Sequence, residues 1–178
     1  MKGVPVDYEE AVHYLKMGVD SDDPKCLNNY GACLLFGTGV PINKDEAARY
    51  FKMAADKGLI FGMMNYARMV FHGDEIPVDK LEAQKYNEMA ISKKDVEKIY
   101  QYGKLFDNGV EFDVDKKEAA RIFKMAADSG HAKSMYKYGF MRLTGDGIQK
   151  DKTESVRYLQ MSSEKGNLDA QSVLKSLE

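Results

Sequence analysis

The chain has 178 residues, 44% of them hydrophobic and 30% charged, with 15 Gly and 4 Pro. That apolar content excludes a disordered or collagen-like chain, and the length suits one domain or a short repeat array. Lys and Arg total 26 against 28 Asp and Glu, a net charge of −2. A general nucleic-acid binder is not expected, because neutralising phosphates needs a clustered basic excess.

No signal-peptide apolar core follows Met1, and no run approaches the roughly 18 apolar residues of a spanning helix, so no direct membrane insertion is expected. Cys26 and Cys33 lie seven apart. On one helix that is about 10.5 Å of rise, too far for a disulfide with each other. Free thiols favour an intracellular, cytoplasmic setting.

Shifted by 36 residues, the sequence aligns with itself without a gap. One column reads Met17, Met53, Met89, Met125, Met161. With 11 Met in 178 positions, four further matches have a chance on the order of 10⁻⁵, whereas tandem repetition expects them. Other columns agree: Glu10, Glu46, Glu82, Glu118, Glu154; Tyr30, Tyr66, Tyr102, Tyr138; Gly37, Gly73, Gly109, Gly145.

In chain order, a half-unit at 3–22 gives one helix, here called type B, opened by Asp7 and carrying Ala11, Tyr14 and Leu15. Four hairpins of a type A and a type B helix follow, at about 24–58, 60–94, 96–130 and 132–166. A second half-unit, 167–178, is a lone helix A. The second hairpin displays the pattern best: Gly62, Met63, Tyr66, Met69, Val70 and Gly73 fall within about 120° of arc, the buried face of helix A. Gly73 and its counterparts then end the A helices in the left-handed cap position. The column Asp7, Asn43, Asp79, Asp115, Asp151 supplies the N-caps of the B helices, with Glu three residues on in capping-box spacing. Gly58, Gly130 and Gly166 close the B helices. Ala47, Ala83, Ala119, Gly31, Gly103 and Gly139 are small where two helices must cross closely. The third junction is the weakest: Asn87 replaces an apolar residue, Lys94 a capping Gly, and Lys98 a small residue. Neighbouring units must stack to bury their apolar faces, so the predicted fold is an all-α, right-handed superhelical solenoid of helix-turn-helix repeats.

The best copy reads Tyr30-Gly31-x2-Leu34-x2-Gly37-x-Gly39-Val40-x2-Asn43-x3-Ala47-x2-Tyr50-Phe51-x2-Ala54-Ala55. It resembles the Sel-one-like repeat family of the tetratricopeptide superfamily, over essentially the whole chain. The resemblance implies a scaffold or adaptor that works through protein–protein contact. Some bacterial relatives carry a Cys pair in every unit. This chain lacks that pattern, which points away from their disulfide-stapled, secreted form.

The residues offer no chemical site. His13, His72 and His131 lie in different units without paired ligands, and read as surface or packing residues rather than metal ligands. Cys33 shares a column with Met69, Leu105 and Met141 and reads as core rather than nucleophile. The Glu column reads as caps, and the Gly-x-Gly segments end helices where carbonyls repel anions. No catalytic, cofactor-binding or metal residue is expected, and no enzyme.

One face exceeds a solvated helix. Opposite the buried face of the A helices, nine of sixteen positions across the four hairpins are apolar or aromatic. Asn28, Leu35, Phe61, Met64, Arg68, Phe71, Tyr100, Lys104, Tyr136, Phe140 and Leu143 are therefore expected to line a concave groove that takes a peptide or helix of another protein. Arg68, Lys104 and Lys133 would select acidic groups. The alternatives are self-assembly, as a homo-dimer through the solenoid end, and a regulatory module of an enzyme complex.

Overall fold

The computed structural model describes residues 7–73, 76–109 and 113–177. Residues 3–6 of the first half-unit and the final Glu178 lie outside the described residues. Within them the chain forms ten α-helices and no strand: α1 (Tyr8–Asp20), α2 (Pro24–Phe36), α3 (Lys44–Asp56), α4 (Ile60–His72), α5 (Lys80–Ser92), α6 (Val96–Asn108), α7 (Lys116–Asp128), α8 (Ala132–Thr144), α9 (Lys152–Glu164) and α10 (Leu168–Lys175). Odd-numbered helices are type B and even-numbered ones type A. The predicted alternation and the 36-residue period are both present.

The caps explain where the helices begin and end. Asp7, Asn43, Asp79, Asp115 and Asp151 each accept the backbone N–H of the Glu three residues on. This satisfies a donor that has no partner inside the helix. Gly37, Gly73, Gly109 and Gly145 close α2, α4, α6 and α8 with positive φ. At the ends of the B helices Lys94 and Asp22 adopt φ of 57° and 62°, in the column where Gly58, Gly130 and Gly166 adopt the same hand.

The chain divides into two compact units, Met1–Ala90 and Ile91–Glu178. In the first, consecutive helices from α1 to α4 pack on one another, and α4 also touches α2. Its core is Leu27, Leu34, Phe51, Met63 and Met69, with the small residues Ala47, Ala54 and Ala55 fully buried between them. A Cβ on Gly62 would come within 2.8 Å of Ala54 Cβ and of the Ala55 backbone nitrogen. The α3–α4 crossing therefore requires glycine there. A polar cluster binds α5 into the unit. Lys52 on α3 donates to Glu82 (2.6 Å) and to the Tyr86 hydroxyl (3.0 Å). Tyr66 on α4 donates to Glu82, and Tyr86 donates to Asp56. Burial and the Glu82 carboxylate push the Tyr66 hydroxyl up to about 12.

In the second unit consecutive helices from α6 to α10 pack likewise. Ile99, Tyr102, Ile122, Phe123, Met135 and Leu159 form its core. A Cβ on Gly103 would lie 2.8 Å from the Phe123 ring, so α6 and α7 approach as closely as the small-residue pattern predicts. The polar cluster recurs: Tyr158 donates to Asp128, Lys124 pairs with Asp128, and Tyr138 meets Tyr158 edge to face at 4.8 Å. The first unit has the equivalent Tyr30–Tyr50 and Tyr66–Tyr86 pairs.

Candidate functional site

The eleven groove residues divide between the two units. In the first, α2 and α4 carry six. Met64 is only 1% exposed and Leu35 is buried, so both side chains belong to the packing of the unit. Asn28 is half-buried and accepts a hydrogen bond from Asn65 Nδ2 at 2.9 Å, a tie between α2 and α4. Phe61 and Arg68 are half-buried, and Phe71 is exposed, with its ring 5.1 Å from that of His72 and the Lys80 ammonium above it.

In the second unit α6 and α8 carry the other five. Tyr100 is 9% exposed, its ring 5.6 Å from Phe123 and 4.9 Å from His131. It is a wall of the unit rather than a free anchor, and burial raises its hydroxyl above the ordinary tyrosine value. Lys104 Nζ lies 5.9 Å from the centre of that ring. Phe140 is 39% exposed and sits 5.9 Å from Tyr136, which is half-buried, as is Leu143. Tyr136, Phe140 and Leu143 thus form a short aromatic and aliphatic ridge on α8.

The acids on this face are already engaged. Asp107 stands in the column of Leu35, Phe71 and Leu143 but is 8% exposed. It accepts from Lys116 on α7 at 2.6 Å and from Lys137 on α8 at 2.9 Å. Burial alone would raise its carboxyl, but the two lysines outweigh burial and hold it below the ordinary carboxylate range. On α6, Glu97 accepts from Gln101 and lies 3.1 Å from His131 Nε2; hydrogen bonds from Gln101 and His131 keep it ionised to lower pH. Lys133, exposed, is carried by α8 like the ridge, and half-buried Lys104 by α6.

Other sequence readings find their places. Cys33, expected in the core, is half-buried, as is Cys26; burial raises both thiols. The Glu column does more than cap: Glu82 holds Lys52 and Tyr66, Glu118 holds Arg121, and Glu154 holds Arg142 at 2.6 Å. His131 is the N-cap of α8, a role the sequence reading missed along with the caps Asp23, Asp95 and Asn167 of the other A helices. The signal was present as a column one residue before each A helix's first position, Pro24, Ile60, Val96, Ala132 and Leu168. It was hidden because its residue type changes from copy to copy. A shallow depression of about 500 Å³ on α9 is lined by Lys152, Thr153, Val156, Arg157 and Gln160 alone, side chains of one helix. Among the described residues no group of three or more metal-ligating side chains converges, and no helix is long and apolar enough to cross a membrane.

The Sel1 repeat family model matches residues 2–23, 24–59, 60–95, 99–131 and 132–167. The chain is similar in structure to a Sel1 repeat protein from Oxalobacter formigenes, with a TM-score of 0.58 and 25% identity, over 96% of this chain and 70% of that one. It is also similar to c5321, a protective antigen of uropathogenic Escherichia coli strains displaying an SLR fold, with a TM-score of 0.59 and 28% identity. That match covers 96% of this chain but only 36% of the antigen. Comparison with curated protein sequences gives no match.

Proposed function

This chain belongs to the Sel1 repeat family, whose members are generally non-catalytic protein–protein interaction scaffolds, and from that premise we propose that it is a non-enzymatic adaptor. Its partner-binding surface is the concave groove expected along the A helices, on the face opposite their buried one, and the partner presents a peptide or helix with an apolar anchor and acidic flanks. The observation that carries this reading is the Tyr136–Phe140 pair on α8. Its ring centres lie 5.9 Å apart at a tilt of 35°, and Phe140 is 39% exposed. A large aromatic side chain on a rigid helix is the residue type in which binding energy concentrates, and the lysines Lys104 on α6 and Lys133 on α8 favour acidic partners. Phe61, Arg68 and Phe71 on α4 provide a separate face of the same kind in the first unit.

Selection of random peptides on the immobilised full chain tests this. Peptides combining an aromatic or aliphatic anchor with acidic residues are expected to enrich, and Tyr136→Ala with Phe140→Ala is expected to release them. Enrichment of unrelated sequences, or equal retention by the double variant, would remove the α8 ridge from the account.

A second reading is association with a second copy through α1. Tyr14 there is 62% exposed, whereas its column mates Tyr86 and Tyr158 are 1% exposed. Sedimentation equilibrium separates the readings: a concentration-dependent dimer abolished by Tyr14→Glu supports the second.

A further inference from the structure

The N-cap position of the A helices is held by Asp23, Leu59, Asp95, His131 and Asn167. Of these residue types, only histidine caps through an atom that becomes a cationic N–H donor when it takes a proton. The Ser134 backbone N–H donates to His131 Nδ1 at 3.3 Å, and Ser134 Oγ lies 2.8 Å from the same nitrogen. On its other side Nε2 lies 3.1 Å from Glu97 Oε2 on α6. A backbone N–H can only donate, so Nδ1 must be bare and the ring proton sits on Nε2, directed at Glu97. One neutral tautomer therefore satisfies both helices.

We propose that His131 is a pH-sensitive cap: its neutral imidazole closes the first turn of α8 and ties it to Glu97 on α6, and protonation opens that turn. The sign follows from the groups around the ring. A proton on Nδ1 removes the acceptor of the Ser134 N–H and sets a cation at the positive end of the helix dipole. The Ser134 hydroxyl can turn to accept from the new N–H, but the backbone donor is left without an acceptor. Opposing this, Glu97 gains a full ion pair; its side chain is 50% exposed, so that gain is screened by water. The remaining charges are committed elsewhere. On α8, Lys137 is held by Asp107, while Lys133 acts on Glu97. On α7, Lys124 pairs with Asp128, which also takes the Tyr158 hydroxyl of α9. Tyr100 on α6 presents its ring to the imidazole at 4.9 Å.

Amide hydrogen exchange of the full chain, corrected for intrinsic rates, tests the cap. Between about pH 7.5 and pH 5, protection of the Ser134 amide is expected to fall about fivefold in the wild type, the equilibrium equivalent of one lost N-cap. In His131→Asn, which installs the residue that caps α10, protection is expected to stay constant over the same range. Glu97→Gln, which keeps the cap, is expected to retain the acid response. A long-range ¹H–¹⁵N spectrum at neutral pH must find Nδ1 unprotonated. The same pH response in His131→Asn, or an Nδ1–H tautomer at neutral pH, would overturn the proposal.

Discussion

Asn87 sits on α5 in a column otherwise apolar: Leu15 is half-buried there, and Phe51, Phe123 and Leu159 are each 0% exposed. Its Oδ1 is buried with no hydrogen-bond partner. A buried polar oxygen left unpaired costs roughly 1–3 kcal/mol, and an apolar side chain of similar length removes that cost. Asn87→Leu is expected to raise stability by about 1–2 kcal/mol, read as a higher urea midpoint at unchanged slope. An unchanged or lower midpoint would mean that the site needs its amide. The sequence marked this residue because it breaks a column, and columns are what a gapless repeat makes legible. Burial of the groove residues was not legible in the same way. Periodicity assigns Met64, Tyr100 and Tyr136 the same azimuth on their helices, but not which neighbour covers each. Tyr100 meets Phe123 and His131, Met64 is enclosed in its unit, and Tyr136 is left half open.

At the scale of elements, helix existence, order and B-helix caps were all readable, because each rests on contacts within a few residues along the chain. The ties between helices were not, since Lys52–Glu82, Tyr158–Asp128 and Lys137–Asp107 each join residues thirty positions apart. Asp107 is the most consequential, joining α6 to α7 and α8 through Lys116 and Lys137. Its folded-state carboxyl lies below the ordinary value, so its stabilisation is complete above the unfolded value near about pH 4 and is lost as pH falls through the folded one. Asp107→Asn is expected to lower stability by about 1–3 kcal/mol at about pH 6, the worth of a hydrogen bond to a charged group. The gap between variant and wild type should narrow as pH falls below about 4, measured by urea denaturation across that range. A gap independent of pH would show that the carboxylate's charge is not what holds these helices.

On the scale of the whole molecule, the ten helices of the described residues fall in two units, each with its own core, its own Tyr–Tyr pairs and a lysine held by an acid, Glu82 for Lys52 and Asp128 for Lys124. Such arrays build stability from neighbour contacts, which leaves side chains on the A-helix faces opposite the core open to vary without loss of fold. The α8 ridge fits that division, because Phe140 is exposed while Tyr138 and Met141 beside it in sequence are 3% exposed and carry the packing. Recognition and folding thus use different residues of the same helix. Titration calorimetry of a selected acidic peptide, run beside thermal melts, addresses it with Phe140→Ala and Tyr136→Ala, and with Val156→Ala on α9 as a control. Affinity is expected to weaken at least about fivefold for each ridge variant, more than about 1 kcal/mol, with melting temperatures close to wild type and no change for the control. Unchanged affinity in both ridge variants, or a loss of binding that tracks a loss of fold, would contradict it.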